Sequence, residues 1–121
     1  MKYHTITLDN GEELNFRLTA SDATFIEEKK KVKLLDLISD YSITTICYLL
    51  RFLRKGAGEG NFSDKDAQDL FDKLADNDYA LEDIQTKIIL PALQVSGLLT
   101  KSDLENIMNK VAEKKQATQE V

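Results

Sequence analysis

Between residues 3 and 18 apolar side chains fall on every second position. Ile6 and Leu8, then Leu14, Phe16 and Leu18, alternate with Thr5, Thr7, Asn15 and Arg17. This period of two places one face of a strand on a core. Asp9-Asn10-Gly11 separates the two runs with residue types that tolerate positive φ, so the pattern predicts a β-hairpin. A lone hairpin is marginal in water, and its Leu/Phe face needs a cover of helices.

After Leu18 the period lengthens to that of helices. Thr19 is placed to cap a first helix with Asp22 in its first turn, and Phe25, Val32 and Leu35 recur at helical spacing. The break at Ser39-Asp40-Tyr41-Ser42 supplies caps for a second helix. Its residues Ile43, Ile46, Cys47, Leu49, Leu50, Phe52 and Leu53 surround most of the circumference, which predicts a central, buried element. Gly56-Ala57-Gly58-Glu59-Gly60 ends it in what reads as a flexible surface loop. Ser63 then caps a helix carrying Ala67, Leu70, Phe71 and Leu74. Asp76-Asn77-Asp78 turns into a helix striped by Leu81, Ile84, Ile88, Ala92 and Val95. Pro91 lies within that stripe and is expected to kink or split the helix. Ser96-Gly97 stops it, and a last helix from Thr100 carries Leu104, Ile107, Met108 and Val111.

The expected fold is therefore α+β and mostly α, with an N-terminal β-hairpin packed on a bundle of about five helices. Residues 1–112 form one globular domain, hairpin over 3–18 and helical over 20–111, and residues 113–121 are expected to form a flexible C-terminal tail.

Composition narrows the function classes. The chain has 121 residues, enough for a single apolar core without metal or crosslink. Its single cysteine forms no intramolecular disulfide and suits a reducing compartment. No apolar run is long enough to span a membrane, and Met1-Lys2-Tyr3-His4-Thr5 lacks the apolar core of a signal peptide. A net charge of −5 argues against nucleic acid as the main partner, since that affinity comes from neutralised phosphates. The charge is unevenly spread. Residues 29–55 hold seven basic and two acidic side chains, net +5, whereas residues 59–83 hold nine acidic and two basic, net −7. Such segments either dock on one another, within or between subunits, or are solvated helix faces.

Candidate chemistry is sparse. His4 is the only histidine, which leaves one chain unable to assemble a His relay or multi-His metal site. Cys47 sits among Ile46, Leu49 and Leu50 and reads as a small buried hydrophobe rather than a nucleophile. The glycine loop follows a helix, carries a Glu and lacks a Gly-Lys-Ser/Thr ending, so it is a connector rather than a phosphate cradle. Counting from Asp64, the sixth and twelfth positions are Asp69 and Ala75; from Asp76 they are Leu81 and Lys87. Both runs miss the glycine and glutamate of a calcium loop. No catalytic, metal or cofactor site is expected. The segment from Ile88 to Leu99 is denser in apolar residues than one stripe needs. Ile89, Leu90, Leu98 and Leu99 lie partly off it and, with Leu93, make the candidate surface for a partner or for self-association.

The layout resembles a known family. The hairpin Ile6-x-Leu8-Asp9-x-Gly11-x-x-Leu14-x-Phe16-x-Leu18-Thr19 is followed by a helix with Glu27-Glu28-Lys29 and an apolar helix capped between Ser39 and Thr45. Then come Phe62-Ser63-x-x-x-Ala67-x-x-Leu70-Phe71-Asp72 and Val95-Ser96-Gly97-Leu98-Leu99. Over residues 3–111 this order resembles the tail assembly chaperones of long-tailed phages of Gram-positive bacteria. The resemblance implies a non-enzymatic protein of the host bacterial cytoplasm that coats and solubilises the tape measure protein and is absent from the mature virion. It also implies a longer, frameshifted product that recruits the tail tube protein. Homo-oligomerisation is expected instead from the surplus apolar residues around 88–99. The alternatives are a small structural virion protein, such as a tail completion or head-tail connector subunit, and a host protein-interaction domain.

Overall fold

A computed structural model describes residues 2–40 and 42–119, with side chains through Glu113. Strands β1 (His4–Thr7) and β2 (Glu13–Phe16) pair antiparallel in the register Ile6↔Leu14. A three-residue loop joins them, closed by Leu8 N–H donating to the Glu12 carbonyl. Gly11 takes φ 89°, which its missing Cβ permits without strain. Ile6, Leu8, Leu14, Phe16 and Leu18 all turn into the core, as their alternation predicts.

The helices follow: α1 (Ala20–Lys30), α2 (Leu34–Ile38), α3 (Ile43–Gly56), α4 (Asp64–Asp76), α5 (Leu81–Ile84), a π-helical turn (Gln85–Ile89), α6 (Leu90–Val95) and α7 (Lys101–Gln119). Most start where the sequence places a cap. Thr19, Ser42 and Ser63 each accept a hydrogen bond from the backbone N–H three residues on, and Ser63 with Asp66 forms a reciprocal capping box. Thr100 and Asp103 do the same for α7, at 3.0 and 3.1 Å.

The α1 face differs from the sequence expectation. α1 ends at Lys30 because Lys31 adopts the left-handed conformation, φ 57°, and the Glu27 carboxylate caps α2 by accepting from Leu34 N–H at 2.8 Å. Phe25, Val32 and Leu35 therefore do not share one buried stripe. The buried side is Asp22, Ala23 and Ile26, continued by Leu34 and Ile38 of α2.

α3 is the central helix, with Ile46, Leu49, Leu50, Phe52 and Leu53 buried. Its C-terminal turn is clamped to β2. Arg17 N–H donates to the Leu53 carbonyl at 3.0 Å, and the Arg54 guanidinium to the Asn15 carbonyl at 2.8 Å. Gly56 is consequently a contact residue rather than part of a flexible loop, since a Cβ there would lie 2.0 Å from the Arg17 carbonyl oxygen. The Asn77 side chain, at the end of α4, accepts from Asp9 N–H, and Lys73 ion-pairs with Glu12, which seats the hairpin turn on α4.

Pro91 neither splits its helix nor leaves a gap. In an α-helix its ring would press on the carbonyl of Lys87, four residues back. The π-helical turn ahead of Pro91 widens the backbone there, and the Lys87 carbonyl accepts instead from His4 Nε2–H at 2.7 Å. Gln85, buried in that turn, donates from Nε2 to the Ile38 carbonyl and so satisfies the end of α2. The backbone of α7 is helical to Gln119, through most of the stretch from Glu113 onward expected as the C-terminal tail. Its buried side chains end at Val111, but Ala112, Glu113, Lys114, Lys115 and Gln116 are strong helix formers that extend an already nucleated helix. Glu120 and Val121 lie outside the described residues.

Candidate functional site

The surface expected from residues 88–99 is not a surface. Ile89, Leu90 and Leu93 are fully buried, Leu99 is 6 % exposed, and only Leu98 is partly exposed, beside Ala23, Leu34 and Leu35. The π-helical turn is the reason. It shifts the angular phase of the helix, so side chains on both sides of the 81-84-88-92 stripe enter the core. Since the hairpin, α2, α3 and α7 pack around it, this segment is interior on nearly every side.

The exposed apolar residues lie elsewhere. Ile43 is 53 % exposed, Phe25 49 %, Val32 and Leu35 41 % each. Ile43 and Phe25 line two adjoining hollows that share Tyr48 and Asp64 and together make a trough along α3. Its floor is the outward face of α3, where Ile43, Cys47, Arg51 and Lys55 recur every fourth residue beside Tyr48. One wall is α1, with Ser21, Phe25 and Lys29; the other is α4, with Asp64 and Gln68. The end of the trough between α3 and α4 encloses about 390 Å³ and is mainly apolar.

An aromatic row holds the floor together. The Phe25 and Phe52 ring centroids are 5.7 Å apart, those of Tyr48 and Phe52 5.1 Å, and the Lys30 ammonium sits 4.3 Å above the Tyr48 ring. Charge divides along the trough axis. Lys29 and Lys30 stand on α1 beside Asp22, Arg51 and Lys55 on α3, and Asp64 on α4. Arg51 pairs with Asp64 at 3.1 Å and Lys55 with the buried Asp22 at 2.9 Å, so part of the basic and acidic sequence asymmetry is satisfied within the chain.

Partial burial, and then the nearby Asp72 carboxylate, push the Cys47 thiol above its ordinary pKa, so it stays protonated at neutral pH and behaves as an apolar lining group. Burial likewise raises the Tyr48 hydroxyl, which finds no hydrogen-bond partner among the described residues. Among the described residues no group of three or more His, Cys, Asp or Glu side chains is placed to hold a metal ion. What the trough offers is an apolar stretch at Ile43, Cys47 and Tyr48 that passes into the ion pairs Arg51–Asp64 and Lys55–Asp22, with Lys29 and Lys30 on α1 and Asp72 on α4 at its sides.

Sequence reasoning missed this site, although a local signal exists. Ile43 directly follows the cap Ser42, and the first-turn position looks away from the bundle. Phe25 competes with Ala23 and Ile26 for the buried face of α1, and the face that also carries the Thr19 cap partner Asp22 wins.

The fold is of the α+β class, mostly helical with an N-terminal antiparallel hairpin, and no helix among the described residues is long and apolar enough to cross a membrane. Comparison with protein-family models, curated proteins and solved structures finds no match.

Proposed function

We propose that this chain is a non-enzymatic phage tail assembly chaperone that binds and solubilises the tape measure protein while the tail tube forms. It would act as a homo-oligomer in the bacterial cytoplasm and leave before the virion is complete, with a frameshifted longer form contacting the tail tube protein. The observation that carries the reading is the exposed apolar lining of the α1–α3–α4 trough, with Phe25 and Ile43 each about half exposed. Large apolar side chains exposed together mark a protein interaction face, and a groove between helices is the geometry that takes an amphipathic helix. The order of hairpin and capped helices is the feature by which the sequence resembles tail assembly chaperones.

Co-expression with the tape measure protein of the same tail gene cluster tests it. The chaperone reading expects the tape measure protein to be soluble and to co-purify with this chain, and purified virions to lack the chain. Persistence in purified virions overturns it in favour of a connector or completion protein.

A further inference from the structure

Resting on the reading that the partner is a helical protein, we infer that the α1–α3–α4 trough takes an amphipathic helix of about three turns whose apolar stripe has acidic residues along one flank and basic residues along the other. The floor sets the length. Ile43 to Lys55 on α3 is thirteen residues, twelve rises of 1.5 Å or ~18 Å. The apolar requirement comes from Ile43, Cys47 and Tyr48 at the α3–α4 end and from Phe25 and Phe52 at the α1 end, side chains that suit the apolar stripe of a helix.

The flanks follow from the walls. Toward α1 stand Lys29 and Lys30, whereas Arg51 and Lys55 are already engaged by Asp64 and Asp22. Along α4 the line Asp64, Gln68 and Asp72 repeats every fourth residue; Asp64 is engaged by Arg51, so Asp72, which acts electrostatically on Cys47 in the floor, carries the acidic side. A helix bearing one sign of charge would meet attraction on one wall and repulsion on the other. A helix with opposite flanks is attracted by both, and the direction in which it lies is fixed by which flank faces α1. Val32 and Leu35, though as exposed as Phe25, do not line this trough.

The test uses the full chain and fluorescein-labelled helical peptides of about 18 residues. All carry the same leucine stripe, flanked by Glu on one side and Lys on the other, by Glu on both, or by Lys on both. Fluorescence anisotropy is expected to show saturable binding of the mixed peptide, about five- to tenfold tighter than either single-sign peptide, with the difference shrinking at high salt. The Phe25→Ser/Ile43→Ser double variant, and Ile43→Ser alone to a lesser degree, should weaken the mixed peptide by about tenfold and keep a wild-type melting profile. Val32→Ser/Leu35→Ser should leave it within about twofold.

Absent or non-saturable binding of the mixed peptide, or equal loss in both double variants, overturns the inference. So does light scattering in which the chain self-associates and Phe25→Ser/Ile43→Ser restores the monomer, which would assign the trough to a second copy. A tape measure protein that co-purifies equally well with wild type and the trough variant leaves the chaperone reading standing and removes this site. A peptide that binds the trough while the tape measure protein fails to co-purify does the reverse.

Discussion

Replacing Gly56 by Ala puts helix propensity and tertiary contact in direct opposition. Gly56 is the last residue of α3, and Ala in place of Gly in a helix is worth at most ~1 kcal/mol of added stability. The new Cβ, however, would sit 2.0 Å from the Arg17 carbonyl oxygen and 2.9 Å from its carbonyl carbon. The oxygen contact is about 1.5 Å too short, and both atoms are backbone, so no side chain can rotate away. The end of β2 has to move off α3. Overpacking of this kind costs about 1–3 kcal/mol. The movement also strains the Arg17 N–H to Leu53 hydrogen bond and the charged Arg54 to Asn15 bond, together worth about 2–4 kcal/mol when intact. With partial loss of these and the propensity gain subtracted, Gly56→Ala should destabilise by about 2–4 kcal/mol. Urea unfolding followed by circular dichroism reads this directly. Gly60→Ala is the control, because its Cβ meets nothing within 4 Å and should change stability by less than about 1 kcal/mol. If Gly56→Ala is as stable as Gly60→Ala, the clamp between α3 and β2 does not constrain the fold as argued.

Further predictions concern single polar groups. Ser96 Oγ accepts from Leu18 N–H at 3.0 Å and donates to the Ala92 carbonyl, so Ser96→Ala strands a part-buried donor and should cost about 1–3 kcal/mol in urea unfolding. The Asp66 carboxyl is held below its ordinary pKa, first by the Ser63 N–H that it accepts and then by the Ser63 hydroxyl. A depressed folded-state pKa contributes stability at pH values above the ordinary carboxylate range, and that contribution is lost as pH falls through the folded value. Asp66→Asn should thus lower the urea midpoint at pH 7, and the two curves should converge below about pH 4. Cys47 should react with Ellman's reagent at pH 8 several-fold more slowly than free cysteine, and Asp72→Asn should speed it, because the Asp72 charge opposes the thiolate. A rate unchanged in Asp72→Asn would remove Asp72 from the surroundings of Cys47 in the trough floor.

How much of this was readable in advance depends on how local the cause is. The hairpin turn at Gly11 and the caps Thr19, Ser42, Ser63 and Thr100 were legible because each depends on residues within about four positions. The candidate interaction site was not. Ile89, Leu90 and Leu93 have the composition of a sticky surface, and only the packing of the hairpin, α2, α3 and α7 around them makes them core. Phe25, Val32 and Leu35 have the spacing of a buried stripe, and the left-handed Lys31 breaks the helix that would have aligned them.

The sequence by itself determined the class of the fold, the order of its elements and where most of them begin, since alternation, helical period and capping are properties of short windows. Tertiary structure alone decided which apolar residues remain in water. It turned Gly56 from part of a flexible loop into a contact with Arg17, accommodated Pro91 behind a π-helical turn whose Lys87 carbonyl is taken up by His4, and laid α1 and α4 along the outer face of α3. Those outcomes depend on residues 39 and 83 positions apart in the chain, a separation that no local period encodes.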